Sequence, residues 1–507
     1  MKNKLINLIK ENSNLLGILC LFIVIEPFLD ILPLFENEKY FIFGFTIPTL
    51  VRCGFIGILG LITLRKIEKK HYKFLIIYFI MLIIYTIIHH SIASDSSMII
   101  PNNFTYSLVS ELFYIIRMLL PLAIIEFTRN TNITEEKFLK VITISAAIIG
   151  TIIFIGNTLC ISYVSYGEGH TVINWLKWFT TDLNQYEFTE LTSKGWFYMA
   201  NQVSGLTILL LPFCIFATLK KYNFINMYTT IILIISMIML GTRIASFGWI
   251  LIVICILLAI TLSKYIYKDK RTKTSYYKTI LIFSVIGLIF LTCSPISRRQ
   301  YGYELGDLSS LKERPQIDNN EESLQKAYTY IEESYEVFKI QEEYLYELYH
   351  YKFDPGFWYN IFDRSIENGV IENREMQRLI SNRIIENNQN KLKYGLFGYS
   401  FSRMRNGGIY MEHDIIVQLF TMGYLGTILL IGPYIFIIAI ICIKVIKKMK
   451  KKIALFNITF LLSIGAVLGT SILTGHILDE LFVTIYIGFI CGYFLRKLDR
   501  KKEENES

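Results

Sequence analysis

Residues 410–424 read YMEHDIIVQLFTMGY. Glu412, His413 and Asp414 stand directly before an apolar run that starts at Ile415 and continues to 443. A surface helix of a soluble protein would show an apolar stripe, not an unbroken apolar run. The run matches instead a hydrocarbon core about 30 Å thick, which roughly 20 helical residues cross at about 1.5 Å each. The stretch is therefore the mouth of a membrane segment, with three ionisable groups placed there.

The same pattern recurs along the chain. Of 507 residues, 53% are hydrophobic, and mean hydropathy is +0.43. Apolar blocks fall at 15–34, 41–64, 74–92, 108–127, 139–160, 198–219, 225–240, 244–262, 279–293, 415–443, 456–474 and 478–495. They predict an all-α polytopic membrane protein with about 12 transmembrane helices. Gly241-Thr242-Arg243 reads either as a tight turn between two spans or as a polar break inside one. The predicted organisation is nine helices in 1–293, a large extracytoplasmic loop subdomain at 294–414, three helices in 415–495 and a charged cytoplasmic tail at 496–507.

Lysine and arginine placement orients the chain. With the N-terminus in the cytoplasm, the inner links hold 30 Lys and Arg, in runs such as RKIEKKHYK (65–73) and KVIKKMKKK (444–452). The short outer links hold four: Lys39, Lys177, Lys194 and Arg243. The net charge of +9 is thus positive-inside bias and not a nucleic-acid footprint, and no nucleic-acid partner is expected. All eight cysteines lie within or at the ends of apolar blocks, so neither a disulfide framework nor a thiolate metal site is expected. The basic start and apolar run of 1–34 lack a small-residue cleavage signal and read as an uncleaved first span.

The outer loop 294–414 carries 15 Lys or Arg and 20 Asp or Glu. Leu324, Tyr328, Ile331, Tyr335, Phe338, Leu345 and Leu348 recur at helical spacing, which predicts an amphipathic helix within 321–350. A second helix is expected at 372–388, and Asp354-Pro355-Gly356 as a turn. The aromatic stretch YLYELYHYKFDPGFWY (344–359) reads as an interfacial belt first and as a sugar-stacking surface second.

Several ionisable groups lie inside apolar blocks. Arg52 and Arg117 sit midway along theirs, where an arginine costs about 2.5–3.5 kcal/mol on insertion scales. Glu26 and Asp30 are one turn apart and would share a helix face. Two readings stand: structural pairing, for example Asp30 with Arg52, or a polar cavity that also binds an anionic ligand. Arg243 sits at the outer end of a span, either snorkelling or serving a ligand admitted by the small Gly241, Ala245 and Ser246. At the mouth of 415–443, Asp414 suits an N-cap, and acidic groups favour a helix N-terminus. That accounts for Asp414 and part of Glu412 but does not call for His413. A histidine can take a proton near neutral pH, and a neighbouring carboxylate would orient it.

Four stretches carry a resemblance: EPFLD (26–30) followed by Arg52, MANQVSGLTILLLP (199–212), LGTRIAS (240–246), and LFGYSFSRM (396–404) with YMEHDIIVQLFTMGYLG (410–426). In their order, with a large loop before a late histidine, they resemble the O-antigen ligase and O-antigen polymerase family of bacterial membrane glycosyltransferases. Asp414 follows His413 where the family pattern has Asn, and Thr242 stands where it has Ser. Whether His413 or Glu412 is the base is left open.

The resemblance implies an extracytoplasmic glycosyltransferase of the bacterial cytoplasmic membrane. No nucleotide sugar is supplied on that face, so the donor must bring its own leaving group. A polyprenyl-diphosphate-linked oligosaccharide does so, and its tail suits the membrane lipid. Arginine forks pair with diphosphate oxygens; Arg243, Arg52 and Arg117 are candidates, with Arg403 and Arg405 from the loop and Asp30 and Glu26 lining the cavity. His413, oriented by Glu412 or Asp414, would deprotonate an acceptor sugar hydroxyl, which displaces the diphosphate with inversion. No metal or cofactor is required. The Lys-, Ile- and Asn-heavy composition suggests an AT-rich Gram-positive bacterium, which favours a polymerase of surface-polysaccharide repeats over a ligase. A lipid-linked glycan flippase or transporter is the main rival, although no inverted repeats are evident. A glycosyltransferase using a carboxylate pair at Glu36–Glu38, or a scaffold, is a lesser one.

Overall fold

The computed structural model describes residues 15–36, 41–42, 45–64, 69–95, 105–167, 169–268, 272–298, 304–318, 320–388, 390–406, 413–449 and 455–506. Among these the chain is overwhelmingly helical; its strands are one two-residue pair, Phe41–Ile42 with Phe45–Thr46.

Every predicted block contains a helix. Eight helices among the described residues are long and apolar enough to cross a membrane, or nine if those on either side of Ile431 form one span. The expectation was about 12, and the difference has local causes. The first block is helical at 15–25 and then tightens into a 3-10 turn at Glu26–Asp30. Pro27 lacks the N–H that would bond Ile23 O; Tyr486 donates its hydroxyl to that carbonyl instead, at 2.8 Å. Ile47–Thr63 and Phe224–Met239 are shorter apolar helices. The block at 415–443 is two helices, Asp414–Leu430 and Gly432–Met449. Gly241-Thr242 separates Phe224–Met239 from Arg243–Thr261: Gly241 has φ +65°, and the Thr242 hydroxyl caps the second helix by accepting the Ala245 N–H at 3.2 Å.

The chain forms two compact units. The first comprises Met1–Tyr72, Met118–Arg299 and Gly432–Ser507. At its centre, Ala200–Lys220 is almost wholly buried. Glu135–Thr158 meets Phe224–Met239 at Gly150, where a Cβ would stand 2.9 Å from Ile232 Cγ2. Small residues allow such close approach between apolar helices, and the Ser236 hydroxyl seals the contact by donating to Gly150 O at 2.9 Å.

The second unit comprises Lys73–Arg117 and Gln300–Ile431. Most of the loop 294–414 shares its core with the helices Lys69–Ala93 and Asp414–Leu430: Ile92, Val417 and Phe420 belong to the same cluster as Ile331, Leu345 and Trp358. The amphipathic helix expected within 321–350 is two pieces, Glu321–Ser334 and a π-helical turn at Tyr344–Leu348. Lys339 takes φ +56° and reverses the chain, so Phe338 stacks on Phe362 at 4.3 Å. The second expected helix is Asn373–Asn387. Asp354-Pro355-Gly356 is a helix start and not a free turn: Asp354 accepts the Phe357 N–H at 3.1 Å and Pro355 opens Pro355–Asn368. Pro is preorganised for that first position.

The aromatic stretch 344–359 is core. Tyr344, Tyr349, Tyr351 and Trp358 are buried, and Trp358 Nε1 donates to Tyr349 O at 3.1 Å. Its rings face one another and the 376–384 helix face, so they form neither a headgroup belt nor a sugar platform.

Candidate functional site

The helix Asp414–Leu430 positions the histidine. His413, not Asp414, is its N-cap residue, and its side chain makes no capping bond. Its carbonyl accepts both Ile416 N–H and Val417 N–H at 3.0 Å. His413 adopts φ +80°, a region that non-glycine residues enter rarely and often at functional sites. The imidazole is half-buried, while Asp414, one residue into the helix, is fully buried. Glu412 lies outside the described residues.

One turn along, Gln418 donates to the Tyr114 hydroxyl. Tyr114 stacks on Phe401 at 3.8 Å, and the Arg117 guanidinium stands 5.2 Å from the Tyr114 ring centroid and 5.9 Å from that of Phe401. Arg117 is thus presented by two aromatic faces, a cation–π arrangement, beside the helix that His413 begins.

That helix is broken at Gly423, with φ +68° and ψ 179°. The break would strand carbonyls in an apolar core, at a cost comparable to a lost hydrogen bond each. They are met from outside. Tyr399 N–H donates to Phe420 O at 2.9 Å, Ser400 N–H to Thr421 O at 3.0 Å, and the Tyr85 hydroxyl to Met422 O at 2.6 Å. The end of the large loop is therefore docked onto the broken helix. Gly398, at φ +84°, allows this contact, since a Cβ would strike Thr421 and Gly423 backbone.

The same segment is held on its other side by two groups that the sequence reading did not single out. Glu111 Oε1 accepts from Ser402 N–H at 2.7 Å and from the Ser400 hydroxyl. His89 Nε2 lies 3.2 Å from Glu111 Oε2. An acidic residue inside the block 108–127 was the available signal, of the same kind that marked Arg117.

The loop arginines differ. Arg403 donates to Ala93 O at 2.8 Å and Asp95 O at 3.4 Å, which ties the loop end to the helix Lys69–Ala93. Arg405 is exposed.

In the first unit, the structure brings Glu26, Asp30 and Arg52 together. Arg52 Nη2 lies 2.6 Å from Glu26 Oε1 and 3.3 Å from Asp30 Oδ2, and all three are buried. They meet through a 3-10 turn and not along one α-helical face, as expected from their spacing. Arg243 is exposed at the first position of its helix, and Thr242 Oγ1 is 2.7 Å from Ser204 Oγ. The small residues beside Arg243 do not open the backbone: Gly241 is covered by Thr192 and Phe188, and Ala245 and Ser246 are buried. Arg52 and Arg243 thus belong to one unit; His413, Asp414, Arg117, Arg403 and Arg405 belong to the other.

Among the described residues, His476, Asp479 and Glu480 have metal-ligand spacing, with one ligand atom each within 4.8 Å of the others.

A family model described as O-antigen ligase like membrane protein matches residues 13–501, nearly the whole chain. No curated protein matches it.

Proposed function

From the premise that the chain belongs to the O-antigen ligase like membrane protein family, a multi-pass family of glycan transfer, we propose the following reaction. The protein transfers a polyprenyl-diphosphate-linked glycan to an acceptor sugar hydroxyl on the outer face of the bacterial cytoplasmic membrane. We favour polymerisation of a surface-polysaccharide repeat. A ligase joining the glycan to a different surface acceptor is the second reading, favoured by the family's own description.

His413 is the base. It accepts the proton of the acceptor hydroxyl as the oxygen attacks the anomeric carbon, and the bond to the diphosphate oxygen breaks with inversion. Proton transfer of this kind contributes about 10²–10⁴-fold. Asp414 or Glu412 orients the imidazole. Arg117 is the cation we place against the departing diphosphate, where a guanidinium fork matches its oxygens. Arg52 is engaged by two carboxylates and Arg403 by backbone carbonyls, so both are better suited to holding structure. Arg243 is retained as an anion contact at its own helix start, and Arg405 as an exposed loop cation.

One observation carries this reading: a half-buried histidine begins an apolar helix whose next turn, through Gln418 and Tyr114, reaches an arginine presented on two aromatic rings. The test is deletion of the gene with glycan profiling, complemented by wild type and His413→Ala. Single lipid-linked repeats without polymer indicate a polymerase. Long lipid-linked polymer that never reaches the wall indicates a ligase. A normal profile in the deletion removes the glycan-transfer role and favours a transporter.

A further inference from the structure

Glu111 and His89 are each about 1% exposed, in two helices apolar enough to cross a membrane. His89 Nδ1 lies 2.6 Å from Phe397 O. A carbonyl only accepts, so Nδ1 must carry a hydrogen. On the other side, Nε2 and Glu111 Oε2 face each other at 3.2 Å, and one further proton must sit between them. The pair is either imidazolium with carboxylate or imidazole with carboxylic acid. Glu111 Oε1 accepts the Ser402 N–H and the Ser400 hydroxyl, and Ser402 Oγ accepts the Ser107 N–H at 3.0 Å.

Apart from the contact between the two side chains themselves, these bonds land on one short segment, 397–402. Its own Tyr399 and Ser400 N–H groups fill the carbonyls freed by the Gly423 break, in the helix that His413 begins. The segment also precedes His413 closely in the sequence. A buried ion pair adds little net stability over apolar residues of similar volume. Its hydrogen bonds are directional, however, and a leucine pair would leave Ser400 and Ser402 without an acceptor.

We propose that Glu111 and His89 are positioning residues for His413: they fix the segment 397–402 and, through its bonds to Phe420 O and Thr421 O, the part of the helix Asp414–Leu430 that runs from His413 to the Gly423 break. The proposal rests on His413 being the base. Neither residue touches the reacting atoms; both act through Ser400, Ser402 and Phe397.

The test compares purified full-length Glu111→Leu and His89→Gln with wild type by hydrogen exchange. The expected result is exchange faster by about ten-fold in peptides covering 397–406, with peptides from Asn373–Asn387 unchanged. In the deletion strain, Glu111→Leu is expected to fail to restore polymer and Glu111→Gln, whose amide oxygen can still accept from Ser400 and Ser402, to restore part of it. Unchanged exchange at 397–406 in both variants overturns the proposal, as does full restoration by Glu111→Leu. Acceleration throughout the protein also overturns it, because that marks a merely structural role. If Glu111→Leu does not accumulate, His89→Gln is read alone by the same criteria. A His413→Ala chain that restores polymer sinks the base assignment separately, since local exchange measures the anchoring by itself.

Discussion

Tyr85 donates its hydroxyl to the backbone carbonyl of Met422 at 2.6 Å, one residue before the break at Gly423. The bond joins the helix Lys69–Ala93 to the helix that His413 begins, and it does so where the second helix cannot satisfy itself. Tyr85→Phe keeps the ring and removes the donor. Met422 O is then buried without a partner, which costs about 1–3 kcal/mol. Unfolding of the purified protein in detergent should register that loss. Gly426→Ala attacks the same contact from the other side, since its Cβ would fall 2.6 Å from Tyr85 Cζ. A Tyr85→Phe chain as stable as wild type would mean that water or another donor replaces the hydroxyl.

Gly423 itself is the sharper case. At φ +68° and ψ 179° it occupies a region essentially confined to glycine. A Cβ there would stand 2.5 Å from Gly398 N and from Leu396 O. Gly423→Ala is expected to cost about 1–3 kcal/mol in backbone strain alone, and to detach the 397–402 segment. Faster exchange of the Tyr399 and Ser400 amides, with lost polymer in the complemented strain, would record both effects. Gly465→Ala is the control, because nothing lies within 4 Å of a Cβ there.

The helices were legible because apolar blocks are a local signal, and so was the meeting of Arg52 with Asp30, because intramembrane charges need partners. The span count was less so: Pro27 ends the first α-helix inside its block, and the run 415–443 divides at Ile431 into two helices bent by 45°. The aromatic stretch 344–359 looked like surface because its partners, such as Met376 and Ile380 in the same core, are far along the chain. His89 hid at the end of a block, where a histidine resembles an interfacial residue. Only the bond to Glu111, 22 residues on, gives it a role.

The loop carries a pH-dependent anchor. Asp354 is bound by Arg383 Nε at 2.7 Å and by the Tyr349 hydroxyl at 3.0 Å. Burial alone would raise this carboxyl, but hydrogen bonds from Arg383, Asn387, Phe357 N–H and Tyr349 outweigh it and hold the group below the usual carboxylate range. The folded protein therefore binds this proton less readily than the unfolded chain. The contribution is fully present above the unfolded value of about 3.9 and is lost as pH falls through the lower folded value. Arg383→Ala should weaken the fold by about 2 kcal/mol near neutrality and move the acid-unfolding midpoint to higher pH. Identical acid midpoints would remove Asp354 from the set of stabilising groups.

His413 and Arg117 make separable predictions. Loss of the base should cost about 10²–10⁴-fold in turnover, so His413→Ala and His413→Gln should both leave the deletion strain without polymer while accumulating in the membrane. Arg117 acts on the leaving group, and its guanidinium lies over the Tyr114 and Phe401 rings. Lysine keeps the charge but not the planar fork. Arg117→Lys should therefore fall between wild type and Arg117→Ala, giving shorter polymer rather than none. If Arg117→Lys is fully active, charge alone suffices and bidentate recognition of the diphosphate is wrong. If Arg117→Ala is fully active as well, the diphosphate is held elsewhere, and Arg243→Ala becomes the variant to compare.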